Sequence, residues 1–171
     1  MSKKVIIFDT CVLCCWFNVP GKATCGPAHD KWDNQRITNI VNQEKLLNTT
    51  FVLPLASIIE MGNHIALSAG NRFALATSFA EYIALTAESI SPWAAFNEQD
   101  TLWSKDAMKA LSVIWPMLAA QGIGIGDATI KNVADFYAES GYQVELLTGD
   151  QGLKAHAPQT PPMVPRRRAN R

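Results

Sequence analysis

Residues 5–8 are four consecutive apolar side chains, and they run straight into a lone acid, Asp9. A second apolar run follows, 11–17, and it carries Cys11, Cys14 and Cys15. A short apolar block without alternation predicts a strand buried on both faces, as in a parallel sheet. Residues 18–30 are rich in Gly and Pro and predict a loop. Asp33 or Asp30 is placed to cap a helix through 36–47, with Ile37, Ile40, Val41 and Leu47 near one face. Residues 50–53 predict a second strand, ending at Pro54. The Ala-rich stretch 57–89 is too long for one ordinary helix, and Gly70-Asn71 breaks it into two, as C-cap and N-cap.

Beyond a loop around Pro92, residues 102–121 predict a helix that Pro116 kinks or shortens. A Gly-rich turn leads to Asp127, which predicts the cap of a helix ending near Gly141. Residues 143–148 predict a third strand, and 149–157 a turn or short helix. Strands thus alternate with helices, which argues for an α/β fold with a parallel sheet covered on both faces.

Composition narrows the class. The chain has 171 residues, 48% hydrophobic and 18% charged, so it is long and apolar enough for one globular domain over 1–157. Residues 158–171 read as a flexible Pro-rich basic tail. The net charge of +0 provides no global field for a polyanion, so any nucleic-acid contact must be local. The phosphate-binding candidates are Arg166, Arg167, Arg168 and Arg171 in the tail, and Lys131. Trp93, Trp103 and Trp115 read as core or interface residues with faces able to stack bases. Asp9 interrupts the one signal-like segment, and no apolar run reaches membrane-spanning length, so the expected location is the cytoplasm, with no membrane contact. Cys11, Cys14, Cys25 and His29 have a spacing found in zinc sites, but the first two lie in an apolar run where cysteine behaves as a small hydrophobe.

The informative residues are the acids at element ends. Asp9, Glu60 and Asp150 fall at or just beyond predicted strand ends, and Asp127 opens a helix. Ligands of open parallel sheets bind outside the carboxyl ends of the strands. Each acid has a local alternative: Asp9 and Asp127 as helix caps, Ser57–Glu60 as a capping box, and Asp150 as a turn residue. Together they make a carboxylate cluster, which raises its own pKa values unless a cation is present. Hard oxygen donors select Mg²⁺ or Mn²⁺, and such ions suit hydrolysis of phosphodiesters.

Four stretches carry a resemblance: "VIIFDTCVL", "LPLASIIE", "GIGDATI" and "ELLTGDQGL". In this order they resemble the PIN-domain nucleases, and among them the VapC-like toxins of toxin–antitoxin pairs. The resemblance implies a three-layer α/β/α sandwich with a central, mainly parallel sheet. It implies that Asp9, Glu60, Asp127 and Asp150 are the catalytic, metal-binding acids, with Thr10 and Thr148 holding carboxylates or a metal-bound water in place. It further implies a metal-dependent endoribonuclease acting on RNA, as a toxin or in defence, with a cognate antitoxin as partner. The apolar central helices would suit a homodimer. The alternative is a binding module of the same fold, in which the acids are caps and the function is protein or nucleic-acid association.

Overall fold

The computed structural model describes residues 3–158. The basic tail arginines therefore lie outside the described residues. The fold is mixed α/β. Three strands, β1 (Lys4–Phe8), β4 (Thr50–Val52) and β5 (Gln143–Leu147), form one parallel sheet in the order β4-β1-β5. The register pairs Val5 with Thr50 on one side and with Val144 on the other. β1 is thus the central strand, and the chain leaves it toward opposite edges. Its carboxyl end, where Asp9 lies, is the switch point at which such sheets bind ligands.

The unbroken apolar run of β1 follows from burial on both faces. Ile6 and Phe8 face one core with Val12 and Leu13 of α1 (Thr10–Trp16), Ile37 and Val41 of α2 (Asn34–Leu46), Met61 and Ile65 of α3 (Leu55–Leu67), and Phe79 of α4 (Arg72–Ala87). Val5 and Ile7 face a second core with Ile130, Val133 and Ala134 of α6 (Ile125–Glu139) and Leu153 of α7 (Gln151–Ala155). Phe8 also packs its ring 5.5–5.7 Å from those of Trp16, Phe51 and Trp93. The outer edge of β4 is occupied too. Phe51 N–H donates to Pro92 O at 2.8 Å, and Ala94 N–H donates to Phe51 O at 2.9 Å, which closes an otherwise open strand edge. Trp93 is accordingly a core residue, 5% exposed.

Several expectations are revised. The loop over 18–30 contains half of a small antiparallel ribbon, β2 (Thr24–Cys25) paired with β3 (Trp32–Asp33). The helix expected over 102–121 is split: a 3-10 segment covers Phe96–Trp103 and α5 covers Lys105–Ala120, with the Ser104 hydroxyl accepting from Ala107 N–H as cap. Pro116 lies inside α5 and does not end it. The carbonyl it leaves unpaired is that of Ser112, and both residues are exposed, so water can satisfy it. Gly70 is not the C-cap of α3. Ser68 ends that helix, its hydroxyl donating to Ile65 O at 2.9 Å. A Cβ at Gly70 would meet Pro20 Cγ at 2.7 Å, so glycine there permits close packing. Asn71 does cap α4, accepting from Ala74 N–H. Asp33, not Asp30, caps α2, accepting from Arg36 N–H. Among the described residues no helix is long and apolar enough to cross a membrane.

Candidate functional site

The carboxyl ends of the three strands open into a cleft of about 350 Å³, and Asp9, Glu60, Asp127 and Asp150 all line it. Each arrives by a different local route. Asp9 directly follows β1 and caps α1, its Oδ1 accepting from Thr10 N–H at 2.6 Å. The capping role and the cleft position therefore coexist in one residue. Asp150 follows β5 and caps α7, accepting from Leu153 N–H at 3.0 Å.

The other two acids depart from their expected local roles. Asp127 is not the cap of α6. Gly124 is the cap residue, and Asp127 sits in the first helical turn. Glu60 belongs to no capping box. α3 begins at Leu55 behind Pro54, so Ser57 is already helical, and its hydroxyl donates to Phe8 O at 2.8 Å. That bond ties α3 to the end of β1. It leaves Glu60 one turn further on, beside Asp9.

Thr10 and Thr148 both donate to carboxylates of the cleft. Thr10 Oγ1 donates to Glu60 Oε2 at 2.7 Å, and Thr148 Oγ1 donates to Asp9 Oδ2 at 2.7 Å. Thr148 is fully buried and also accepts from Asp150 N–H at 2.9 Å, so it links two acids. Cys11 donates its thiol proton to Asp9 Oδ2 at 2.9 Å and accepts from Gly149 N–H at 3.2 Å. The neighbouring Cys25 thiol, burial and the Asp9 charge push the Cys11 thiol well above the usual range, so it remains a donor. Sequence reasoning missed this contact because it treated the cysteine as core. Cys14 turns away toward Met61, and all four cysteines are free.

Glu60 is also confined from the α6 side. A Cβ at Gly126 would lie 2.1 Å from Glu60 Oε1. Glycine is required there for the carboxylate to lie against the start of α6.

Electrostatics couple the four acids. Burial pushes the Asp127 carboxyl up to about 6, helped by the charges of Asp9, Asp150 and Glu60 and opposed by the backbone N–H of Gly124. Asp9, 4% exposed, is raised by burial and by Glu60, against the donors from Cys11, Thr148 and Thr10. The donor set is oxygen-rich and anionic, which in kind fits a hard divalent cation. Among the described residues, no three Asp, Glu, His or Cys side chains converge at metal-binding spacing. In this arrangement the carboxylates stand apart, each resting on its own hydroxyl, thiol or backbone donors.

Two more residues lining the cleft carried no sequence signal, Lys22 and His64. His64 lies one turn beyond Glu60 on α3. Lys131, the cation suggested by its nearness to Asp127, instead pairs with Asp135 and lines a separate groove against α5. Comparison of the chain with protein-family models, characterised proteins and solved structures finds no match.

Proposed function

We infer that this chain is a PIN-like, metal-dependent endoribonuclease. The observation that carries the reading is the gathering of Asp9, Glu60, Asp127 and Asp150, from four separate segments of the chain, around one cleft at the switch point of a parallel sheet. Burial, with the nearby charges of Asp9, Asp150 and Glu60, raises the Asp127 carboxyl, a setting in which a cation would favour the ionised form. Helices packed on both faces of the sheet suit the three-layer PIN sandwich.

A Mg²⁺ or Mn²⁺ held by these four acids would activate a water and neutralise charge on the phosphodiester. The chain's own part is positioning. Thr148 and Cys11 hold Asp9 Oδ2, Thr10 holds Glu60 Oε2, and Gly126 leaves room for that carboxylate. RNA as the substrate, a toxin or defence role, and an antitoxin as partner come from the resemblance of the motifs alone.

One observation favours the second reading, a binding module. An apolar groove of about 580 Å³ lies between α3 and α4, with Phe73 83% exposed on its rim. Such a surface fits a protein partner or a homodimer. One assay separates the two readings: cleavage of a mixed RNA pool in Mg²⁺, Mn²⁺ or EDTA, beside the Asp127→Asn variant. Metal-dependent cuts that vanish in the variant support the nuclease. No cutting with any pool leaves the binding module, and metal-independent cutting overturns the metal-dependent reading.

A further inference from the structure

A cleft walled by carboxylates repels the polyanion it is meant to cut, so cations on its rim acquire a role. Among the described residues, Lys4, Arg36, Lys131 and Lys154 are each engaged in an ion pair, while Lys22 and several other surface cations are not, and of these Lys22 is the one in the cleft lining. Lys22 lines the same cleft as the four acids.

Its position is built, although the side chain is exposed. Lys22 N–H donates to Val19 O at 2.8 Å, and Val19 is a core residue whose own N–H donates to Cys14 O at 2.9 Å. Gly21, with φ +79°, supplies the left-handed turn that directs the chain to Lys22. The β2–β3 ribbon beyond it is held against the end of β5. A Cβ at Gly149 would lie 2.7 Å from Cys25 Sγ and 2.8 Å from Gly26 N. Asp30, next to the ribbon, pairs with both Arg36 and Lys154 of α7. The segment carrying Lys22 is therefore fastened on both sides of that residue.

His64 and Thr24 line the same cleft. His64 lies within the fields of Lys22 and Glu60, and burial with the Lys22 charge pushes its pKa below the usual imidazole value. A neutral imidazole can donate one N–H without adding to the local charge. An ammonium, an imidazole and a hydroxyl beside a hydrolytic centre make an oxyanion-binding set.

We propose that Lys22, with His64 and Thr24, forms a phosphate subsite of the acidic cleft, taking a backbone phosphate of a single-stranded nucleic acid next to the one cleaved. The proposal rests on the nuclease reading for the cleavage, but its binding step can be measured without turnover. The ammonium gives the cleft one cationic end, and so a preferred direction for the strand.

The test uses the full chain. Binding of a fluorescein-labelled single-stranded RNA would be followed against salt in the Asp127→Asn background, with Lys22→Gln, Lys22→Arg and Lys131→Gln added in turn. Cleavage would be followed with the same Lys22 variants in the parent chain. Lys22→Gln is expected to lower the salt slope of log K by about 0.7, the value for one phosphate contact on a single strand. It should raise KM roughly 10-fold, the scale of one charged hydrogen bond, with kcat changed less. Lys22→Arg should restore both, and Lys131→Gln should change neither. Calorimetric affinity for Mn²⁺ should be kept or tightened by Lys22→Gln, because a like charge has gone. Cleavage with an unchanged slope and KM in Lys22→Gln overturns the subsite and leaves the nuclease standing. A Lys22-dependent slope without cleavage does the reverse. An equal loss in Lys131→Gln reduces the effect to general surface charge and overturns the subsite, and absence of both binding and cleavage removes both readings.

Discussion

At the scale of single residues, the acids are held by short, buried hydrogen bonds whose loss has a definite sign. Thr148→Val keeps the shape but leaves Asp9 Oδ2 with one donor fewer and Asp150 N–H without its acceptor. Unfolding in urea should show a loss of about 1–3 kcal/mol, the cost of unsatisfied buried polar groups. If the nuclease reading is right, metal-dependent cleavage should fall roughly 10–100-fold as well. Asp127 has the opposite stability sign. Its carboxyl is raised from 3.8 to about 6 in the fold, so the folded state holds the proton more tightly than the unfolded chain. That contribution to stability is fully present below pH 3.8 and is lost as pH climbs through about 6. Asp127→Asn should therefore stabilise the protein in EDTA at pH 7.5. Because the side chain is half-exposed, solvent screening reduces the effect to about 1 kcal/mol, or about 2–4 °C in Tm. The gain should fade when the melts are repeated near pH 4, and an equal gain at both pH values would contradict the coupling.

At the scale of elements, the site depends on how closely α3 and α6 approach. Gly126 lies in the first turn of α6, where alanine would ordinarily strengthen a helix by roughly 1 kcal/mol. Here the added methyl meets the Glu60 carboxylate. That group is the far end of a flexible side chain, so it can swing aside without unfolding the protein. Gly126→Ala should keep or raise Tm and, if the nuclease reading is right, cut metal affinity and cleavage at least 10-fold, the range for displaced metal-site groups. A variant as active as the parent would show that Glu60 is not held where the chemistry occurs. The elements themselves were largely legible. Three apolar blocks became β1, β4 and β5, and Asn71, Asp33 and Asp150 cap helices through side-chain bonds that their residue types favour. The Ser57–Glu60 spacing offered a capping box as an alternative because a capping box and two positions one turn apart inside a helix have the same local pattern. Only the true start of α3, behind Pro54, separates them.

At the scale of the whole molecule, the cleft is assembled from segments far apart in the chain, so a cation bound there would bridge β1, α3, α6 and the end of β5. Binding to the folded state alone stabilises it by mass action, by about 2.7 kcal/mol at a hundredfold excess over Kd. Thermal melts in increasing Mn²⁺ should climb for the parent and stay flat for Asp9→Asn. Parallel curves for the two proteins would mean that the ion binds elsewhere.

By itself, the pattern of side chains determined where the three strands lie and where the lone acids fall along the chain, while the two hydroxyls came only from the resemblance of the motifs. β1 is the clearest, because burial on both faces demands an unbroken apolar run and the polar residue at its end stands out against that background. The tertiary structure decided the rest. Strand order put Asp9 at the switch point, with Asp150 on one side of it and Glu60 on the other. The packing of α6 on α3 placed Gly126 against Glu60 and brought Asp127 to the same cleft. The ribbon anchored at Gly149 brought Lys22 to the cleft. None of these contacts has a local signature, because each joins residues whose proximity arises only when distant segments bury their apolar faces together.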